Sequence, residues 1–252
     1  MQNILIDTHI HVGQFNDQYY SPAYVSKLMA DIGAEYYAVS STSTCEENYP
    51  KVISELTELI QMDGNKVLPI MWVTPNELEK NVAFLLRTAI KWRCIKVHPE
   101  LHPNDWEPLG GQFTYVLNIA SALELPILIH TGYNKCCQCG KYRKLIELHP
   151  QNTFILAHGR PIDDAIQLLS SFENVYVDTA FMPLDDIKKI IDSGLSHKIL
   201  WGTDMCIPHF FDTKLDLVKY YKDKLSVLKA ISTDSQYIAI TSRNAMDVFK
   251  IL

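Results

Sequence analysis

Membrane-length apolar runs and clusters of basic residues are both missing from this chain of 252 residues. No uncharged apolar stretch approaches the roughly 20 residues that a membrane-spanning helix requires, so we expect no membrane partner. The 23 Lys and Arg residues are outnumbered by 29 Asp and Glu, which gives a formal net charge of −6. Because the basic residues form no block, the chain lacks the surface that typically binds nucleic acid.

Several enzyme signatures are missing as well. Without Gly-x-Ser-x-Gly, Gly-x-Gly-x-x-Gly or a phosphate-loop motif, serine-nucleophile and phosphate-loop chemistry have no support. No signal-peptide pattern precedes the first apolar run, so we expect a cytoplasmic protein whose six cysteines are reduced. There is no Pro/Gly/Ser-rich linker and 47% of residues are hydrophobic, so residues 1–252 are expected to form a single domain.

What the chain does contain is a regular alternation of short apolar runs with amphipathic helical stretches. The runs are apolar nearly throughout, which is typical of parallel strands covered on both faces. We predict strands at residues 4–9, 36–40, 67–73, 94–98, 127–130, 154–158, 175–179 and 199–203. Helix starts are indicated by Ser21-Pro22 and by a capping box at Thr74-Pro75-Asn76-Glu77, and the last two helices are expected over 212–231 and 244–252.

Eight such units predict an α/β fold of the (β/α)8 TIM-barrel type, with a doubly wound open sheet as the alternative. Ligand-type residues end four of the strands. His9 and His11 lie two apart, so both point to one face of the first strand, and His130, His158 and Asp204 end later strands. A closed barrel would bring all of them to its C-terminal end. Imidazole and carboxylate ligands suit zinc, and also manganese or iron.

Five segments along the chain resemble the amidohydrolase superfamily, and more closely its amidohydrolase-related branch. They are Asp7-Thr8-His9-Ile10-His11, Ile95-Lys96-Val97-His98-Pro99, Ile129-His130-Thr131-Gly132, Leu156-Ala157-His158-Gly159 and Trp201-Gly202-Thr203-Asp204. The stretch 243–249 resembles the closing helix of that family. The resemblance spans residues 7–249 and implies a distorted barrel with a mononuclear or binuclear metal centre.

The same resemblance implies the roles of individual residues. His9, His11, His130 and Asp204 match the usual metal ligands, so we expect one divalent ion, most simply zinc, with a second as the alternative. His158 matches a residue that is a ligand in binuclear members and a catalytic or substrate-contacting residue in mononuclear ones. Asp204 could also take a proton from the metal-activated water, so Asp204 and His158 are the predicted catalytic residues.

The fourth strand bears on the number of metals. Lys96 and His98 share a face and both are predicted to face the barrel axis. Binuclear relatives place a carboxylated lysine or a glutamate here, so a carboxylated Lys96 together with His158 would imply two ions. We favour the simpler interpretation, a cationic Lys96 that binds a substrate carboxylate or an inner carboxylate such as Asp178. The glutamate typical of related deoxyribonucleases is missing, which argues against a nuclease.

Further candidates concern substrate binding. His98 is predicted to face the substrate, and Arg160 could clamp a carboxylate or form a salt bridge with Asp163. Trp72 and Tyr133 are predicted to wall a pocket for a planar substrate. Other residues that could contribute are Trp106 and Phe181, while Asp7 could orient His9 or His11 or instead bind backbone groups.

Cysteines are concentrated after the strands on the same face of the predicted barrel. Five of the six lie there, namely Cys45, Cys136, Cys137, Cys139 and Cys206. Clustered thiolates can bind a metal, but the spacing fits no standard zinc finger. We therefore interpret them as reduced, partly buried thiols and keep an accessory metal site as the alternative.

The leading functional hypothesis is a metal-dependent hydrolase. A metal-activated water would attack the carbonyl carbon of an amide, lactone or ester in a small substrate. A metal-dependent decarboxylase or hydratase on the same scaffold is the first alternative, and a catalytically silent metal- or partner-binding barrel is the second. The ligand set does not choose the substrate, and a homo-oligomer remains open.

Overall fold

The fold is a curled sheet whose strands are parallel except for one short edge strand. The computed structural model describes residues 4–15 and 17–251. The sheet order is β2-β1-β3-β4-β5-β6-β7-β8-β9, and only β2 runs antiparallel, against β1. The strands are β1 Ile6–Phe15, β2 Gln18–Tyr20, β3 Tyr36–Ser41, β4 Val67–Trp72, β5 Cys94–Val97, β6 Ile127–His130, β7 Phe154–Ala157, β8 Val175–Asp178 and β9 Ile199–Leu200.

The sheet closes on itself between β1 and the segment that follows β9. The Thr8 N–H donates to the Trp201 carbonyl at 2.8 Å, and the Asp204 N–H donates to the His9 carbonyl at 2.7 Å. The His11 N–H also donates to the Met205 carbonyl. The predicted (β/α)8 barrel is therefore confirmed, and the open doubly wound sheet is wrong because β1 is hydrogen-bonded to the segment that follows β9.

Helices cover the outside of the barrel. They are α1 Pro22–Ile32, α2 Tyr49–Asp63, α3 Leu78–Leu86, α4 Gly111–Leu123, α5 Arg143–Leu148, α6 Ile162–Ser171, α7 Leu184–Asp192, α8 Pro208–Phe211, α9 Leu217–Ile231, α10 Asp234–Ile238 and α11 Asn244–Phe249. Ser21 caps α1 as predicted, because its hydroxyl accepts from the Tyr24 N–H at 3.2 Å. The helix predicted from 212 begins only at Leu217, because residues 212–215 form a turn and Asp216 caps the helix. Residue 252 lies outside the described residues.

The capping box predicted at 74–77 is wrong. The Thr74 hydroxyl contacts Tyr49 at 2.9 Å and Glu47 at 3.1 Å instead of capping a helix. Glu77 adopts a left-handed backbone with a φ of 44°, and α3 begins only at Leu78. A tertiary hydrogen bond to a neighbouring loop has therefore replaced the local one.

A register shift in β1 changes which of its side chains face inward. The pairing with β3 slips between Asp7 and Ile10, so Ile6, His9 and His11 face the barrel axis. Asp7 instead accepts from the N–H groups of His9 and Thr203, at 3.0 and 3.2 Å. Of the two roles predicted for Asp7, the structure places it in the one that binds backbone groups.

Two apolar cores flank the strands. The inner core fills the lower barrel, where Leu68, Leu128 and Leu200 pack with Phe249 of α11. The outer core lies between the strands and the helices. Because the lower barrel is filled, the open space lies at the C-terminal ends of the strands, where TIM barrels carry their functional residues. Among the described residues, no helix has the length and apolar character needed to cross a membrane.

Candidate active site

A cavity of about 420 Å³ opens at the C-terminal ends of the strands. Its polar lining residues include His11, Lys96, His130, His158 and Asp204. Its apolar lining comes mainly from the loops that follow the strands. The cavity therefore contains most of the residues that the sequence marked as candidates.

Three of the predicted ligands converge beside the floor of this cavity. His9, His11 and Asp204 are all buried, and their ligand atoms lie within 4.8 Å of one another. Asp204 Oδ1 lies 2.8 Å from His11 Nε2 and 3.5 Å from His9 Nε2. These side chains come from opposite ends of the chain, and the closure of the barrel brings them together.

The two imidazoles are held so that their Nε2 atoms face inward. His9 Nδ1–H donates to Asp178 Oδ2 at 2.8 Å, and His11 Nδ1 contacts the Ser40 hydroxyl at 3.1 Å. Engagement of Nδ1 leaves the Nε2 lone pair of His9 available to a metal. Burial, and then the nearby Lys96, lowers the pKa of His11 to about 3, so this ring is neutral.

The charge and surroundings of the Asp204 carboxylate suit a cation shared with His9 and His11. Burial alone would raise its pKa, but His9, His11 and His158 hold the pKa well below its usual value, so the group is a carboxylate. Its buried Oδ1 lies 2.8 Å from His11 Nε2 without the alignment of a regular hydrogen bond. An unpartnered carboxylate oxygen between imidazole nitrogens is costly unless a cation lies among them. The donor set suits zinc, manganese or iron.

Lys96 lies directly beside these ligands. It is only 2% exposed, and its Nζ lies 2.9 Å from His9 Nε2 and 3.2 Å from His11 Nε2. Burial lowers its pKa. The Nζ also lies 4.5 Å from the centre of the Trp72 ring. Asp178, the inner carboxylate predicted as one possible partner of Lys96, instead accepts a hydrogen bond from His9 Nδ1–H at 2.8 Å.

His130 and His158 form a second pair at the edge of the cavity. His158 Nδ1–H donates to the Ala180 carbonyl at 2.9 Å, and His158 Nε2 lies 3.2 Å from His130 Nδ1 and 3.9 Å from Asp204 Oδ2. Burial lowers the pKa of His130, and lowers that of His158 to about 4. The backbone of both His158 and Asp204 is left-handed, with φ of 68° and 58°, a strain that non-glycine residues retain mostly at functional sites.

The structure does not place His130 within the group of three ligands. Its Nε2 contacts Glu100 Oε2 at 2.7 Å, a partner that sequence reasoning missed. A signal for Glu100 was present, because residues 96, 98 and 100 continue one alternation past the end of β5. Asp178 and Ser40 were likewise identifiable as polar residues at strand ends, but their hydrogen bonds to the imidazoles were not.

Two other predicted substrate contacts line the cavity. His98 stacks between Trp72, at a ring distance of 5.6 Å, and His130, at 3.7 Å. Arg160 donates through Nη2 to the Phe181 carbonyl at 2.7 Å, while its buried Nε has no partner. The alternative prediction for Arg160 was a salt bridge with Asp163. Arg160 instead donates to the Phe181 carbonyl.

The predicted aromatic wall differs from the observed one. Trp72 and Phe181 line the cavity, but Tyr133 is 65% exposed and lies outside the lining, with its ring 5.7 Å from Arg160. Trp106 is buried against Phe113. The wall is instead completed by phenylalanines of β1 and α8, namely Phe15, Phe210 and Phe211.

All six cysteines are free thiols. Cys139 and Cys206 are buried, Cys136 is half-buried, and Cys45 is exposed and lines the cavity. Cys137 differs because its Sγ lies within 4.8 Å of ligand atoms of Glu100 and His130.

Solved structures share this architecture along the whole chain. A probable 2-pyrone-4,6-dicarboxylic acid hydrolase from Acinetobacter baumannii matches with a TM-score of 0.68 and 15% identity, over 98% of this chain and 99% of that one. A 4-oxalomesaconate hydratase from Rhodopseudomonas palustris matches with a TM-score of 0.70 and 14% identity, over 98% of this chain and 96% of that one. A 5-carboxyvanillate decarboxylase from Sphingomonas paucimobilis matches at 0.68 and 12%, over 100% of both. At such identities, the likeness establishes an α/β TIM barrel.

The sequence itself supplies the family. The amidohydrolase family profile matches residues 6–251, and the chain therefore belongs to the amidohydrolase family. No curated protein matches the chain. Family membership confirms the predicted resemblance and makes the chain an enzyme, which disfavours the catalytically silent barrel. The family is generally metal-dependent, and His9, His11 and Asp204 are candidate ligands.

Proposed function

We propose that this chain is a metal-dependent hydrolase that cleaves an amide, lactone or ester of a small substrate. The observation that carries the proposal is the buried, unpartnered Oδ1 of Asp204 beside the Nε2 atoms of His9 and His11. We propose these three residues as ligands; His130, which the sequence predicted as a fourth, turns its Nε2 to Glu100 and is not proposed as a ligand of this ion. We further propose that the ion is zinc and that residues 1–252 form one domain.

The bound cation would lower the pKa of a water molecule and polarise a carbonyl oxygen. Asp204 is then the base, since its low pKa keeps a carboxylate available and Oδ2 points toward His158. His158 donates through Nδ1 to Ala180, so its Nε2 carries a lone pair that can accept a proton and return it to the leaving group. Because His158 is neutral, it can change protonation state during a cycle.

Cationic groups on the cavity wall suggest how a substrate is held. Lys96 lies beside the proposed ligands, and Arg160, which also lines the cavity, has a buried Nε without a hydrogen-bond partner that could bind an anion. We propose that one of them binds a substrate carboxylate. The phenylalanines at positions 15, 181, 210 and 211 would cover an apolar, planar part of the same substrate.

Decarboxylation or hydration is the second candidate. It is favoured by the same two cations, which would hold a carboxylate close to the metal, and by the hydratase and decarboxylase among the similar structures. A panel of lactones, esters, amides and aromatic carboxylates distinguishes the reactions. Hydrolysis releases acid, whereas decarboxylation releases carbon dioxide.

The test of the proposed function combines metal analysis with this panel. Asp204→Asn removes the base and a ligand charge, so we expect it to lose both bound metal and turnover. His197→Asn, at an exposed histidine outside the cavity lining, is the matched control and should behave as the wild type. Wild-type protein that binds no divalent metal, or that turns over equally well after Asp204→Asn, would contradict the proposal.

A further inference from the structure

A second group of ligand-type atoms lies on the other side of His158. Glu100, His130 and Cys137 each place one ligand atom within 4.8 Å of the other two. Glu100 Oε2 is 2.7 Å from His130 Nε2. This group contains a sulfur atom, whereas the group formed by His9, His11 and Asp204 contains none.

The loop after β6 is folded around these atoms. The Gly132 N–H donates to the Cys137 carbonyl at 3.0 Å, and the Cys137 N–H donates to the Asn134 carbonyl at 2.9 Å. The Asn134 amide donates to Glu100 Oε1 at 2.5 Å, which leaves Oε2 turned toward His130. A Cβ at position 132 would lie 3.0 Å from Cys137 Sγ and 3.5 Å from Glu100 Oε2, so glycine leaves space between the two ligand atoms.

If the rings of His158 and His130 are both neutral, their contacts leave no hydrogen between His130 and Glu100. His158 Nδ1–H donates to a carbonyl, so Nε2 of the neutral ring is an acceptor and must receive a hydrogen from His130 Nδ1. In a neutral His130 ring, Nε2 then carries a lone pair. That lone pair faces a carboxylate oxygen at 2.7 Å, which is repulsive unless a proton or a metal ion lies between them.

We propose that Glu100, His130 and Cys137 form a second divalent-cation site, distinct from the site of His9, His11 and Asp204. Carboxylate, imidazole and thiolate together suit zinc, with cobalt as a spectroscopic substitute. On binding, the Cys137 thiol releases its proton to solvent and its sulfur becomes a ligand. This inference deepens the proposed function, because the same cavity then holds two ions and His130 turns its Nε2 to the second.

The experiment uses the full chain, stripped with a chelator and reloaded with Co²⁺. A thiolate ligand gives a thiolate-to-cobalt charge-transfer band in the near ultraviolet, which the sulfur-free first site does not produce. We expect two equivalents of Co²⁺ and this band in the wild type. Cys137→Ser should abolish the band and leave one equivalent.

Matched variants separate the possible sources of the signal. Cys136→Ser removes the half-buried neighbour and Cys45→Ser removes a thiol of the cavity lining, and both should keep the band and both equivalents. Asp204→Asn should lose the first equivalent and keep the band, so failure of the first site is distinguished from failure of the second. Glu100→Gln, which preserves the shape of the side chain, should weaken Co²⁺ binding at the second site only.

Two results would overturn the proposal. One is a wild type that binds a single equivalent without the charge-transfer band, in which case a proton occupies the gap and Glu100 only orients His130. The other is a band that survives Cys137→Ser in protein whose circular dichroism matches the wild type.

Discussion

Asp178 controls which nitrogen of His9 is free, and its replacement by asparagine tests this control. Asp178 Oδ2 accepts from His9 Nδ1–H at 2.8 Å, while Oδ1 accepts from the N–H groups of His158 and Ala180 at 2.9 and 3.0 Å. In Asp178→Asn, the amide oxygen can keep the two backbone hydrogen bonds. The amide NH₂ would then donate to His9 Nδ1, so the imidazole proton would move to Nε2. Nε2 would then lack the lone pair that we propose as the metal ligand.

The size of the effect follows from the role of the carboxylate behind the ligand. Loss of such an orienting partner typically costs about 10- to 100-fold in metal affinity. This corresponds to roughly 1.4 to 2.7 kcal/mol of binding free energy at the first site. Competition with a chelating dye would measure the affinity, and circular dichroism would check that the fold is retained.

Asp105→Asn is the matched control, because Asp105 is exposed and lies outside the cavity lining. It should leave metal affinity unchanged. If Asp178→Asn bound metal as tightly as the wild type, the inference that this carboxylate sets the His9 tautomer would be refuted.

Three further predictions concern the substrate and the ion. Lys96→Gln should raise KM for carboxylate-bearing substrates by about tenfold or more through loss of a charged contact, and a fall in bound metal instead would indicate a carboxylated lysine. Phe210→Ala should lower kcat/KM by about tenfold for ring-bearing substrates but not for linear ones, while Tm should change little because Phe210 is 53% exposed. An equal fall in kcat/KM for both kinds of substrate, or no fall, would contradict this role. If the metal is present at about 100 times its Kd, its removal by a chelator should lower the free energy of unfolding by about 2.7 kcal/mol. Scanning calorimetry should then show a Tm that is lower by roughly 5–10 °C. An unchanged Tm would argue against a resident ion.

The convergence of His9, His11 and Asp204 could be predicted because it depends on strand geometry. Residues two apart on a strand share a face, and parallel strands of a barrel end at one rim, so His9, His11 and Asp204 follow from spacing and order. The closing hydrogen bonds between β1 and residues 201–205 then fix their mutual distance. Nothing in this inference required knowledge of the loops.

The remaining details depend on tertiary contacts that spacing does not encode. The register shift in β1 turned Asp7 away from the imidazoles, although its spacing suggested the opposite. The partner of His130 is Glu100, whose position depends on the turn after β5 and on Asn134. The aromatic wall includes Phe210 of α8, a short helix that no periodic pattern marked.

The central claim is that a divalent cation binds among His9, His11 and Asp204. The most direct measurement is an anomalous-difference map, recorded at the zinc edge, from crystals of the zinc-loaded protein. The account predicts a peak between the Nε2 atoms of the two histidines and the Asp204 carboxylate. A well-ordered cavity with no anomalous peak at that position would contradict it.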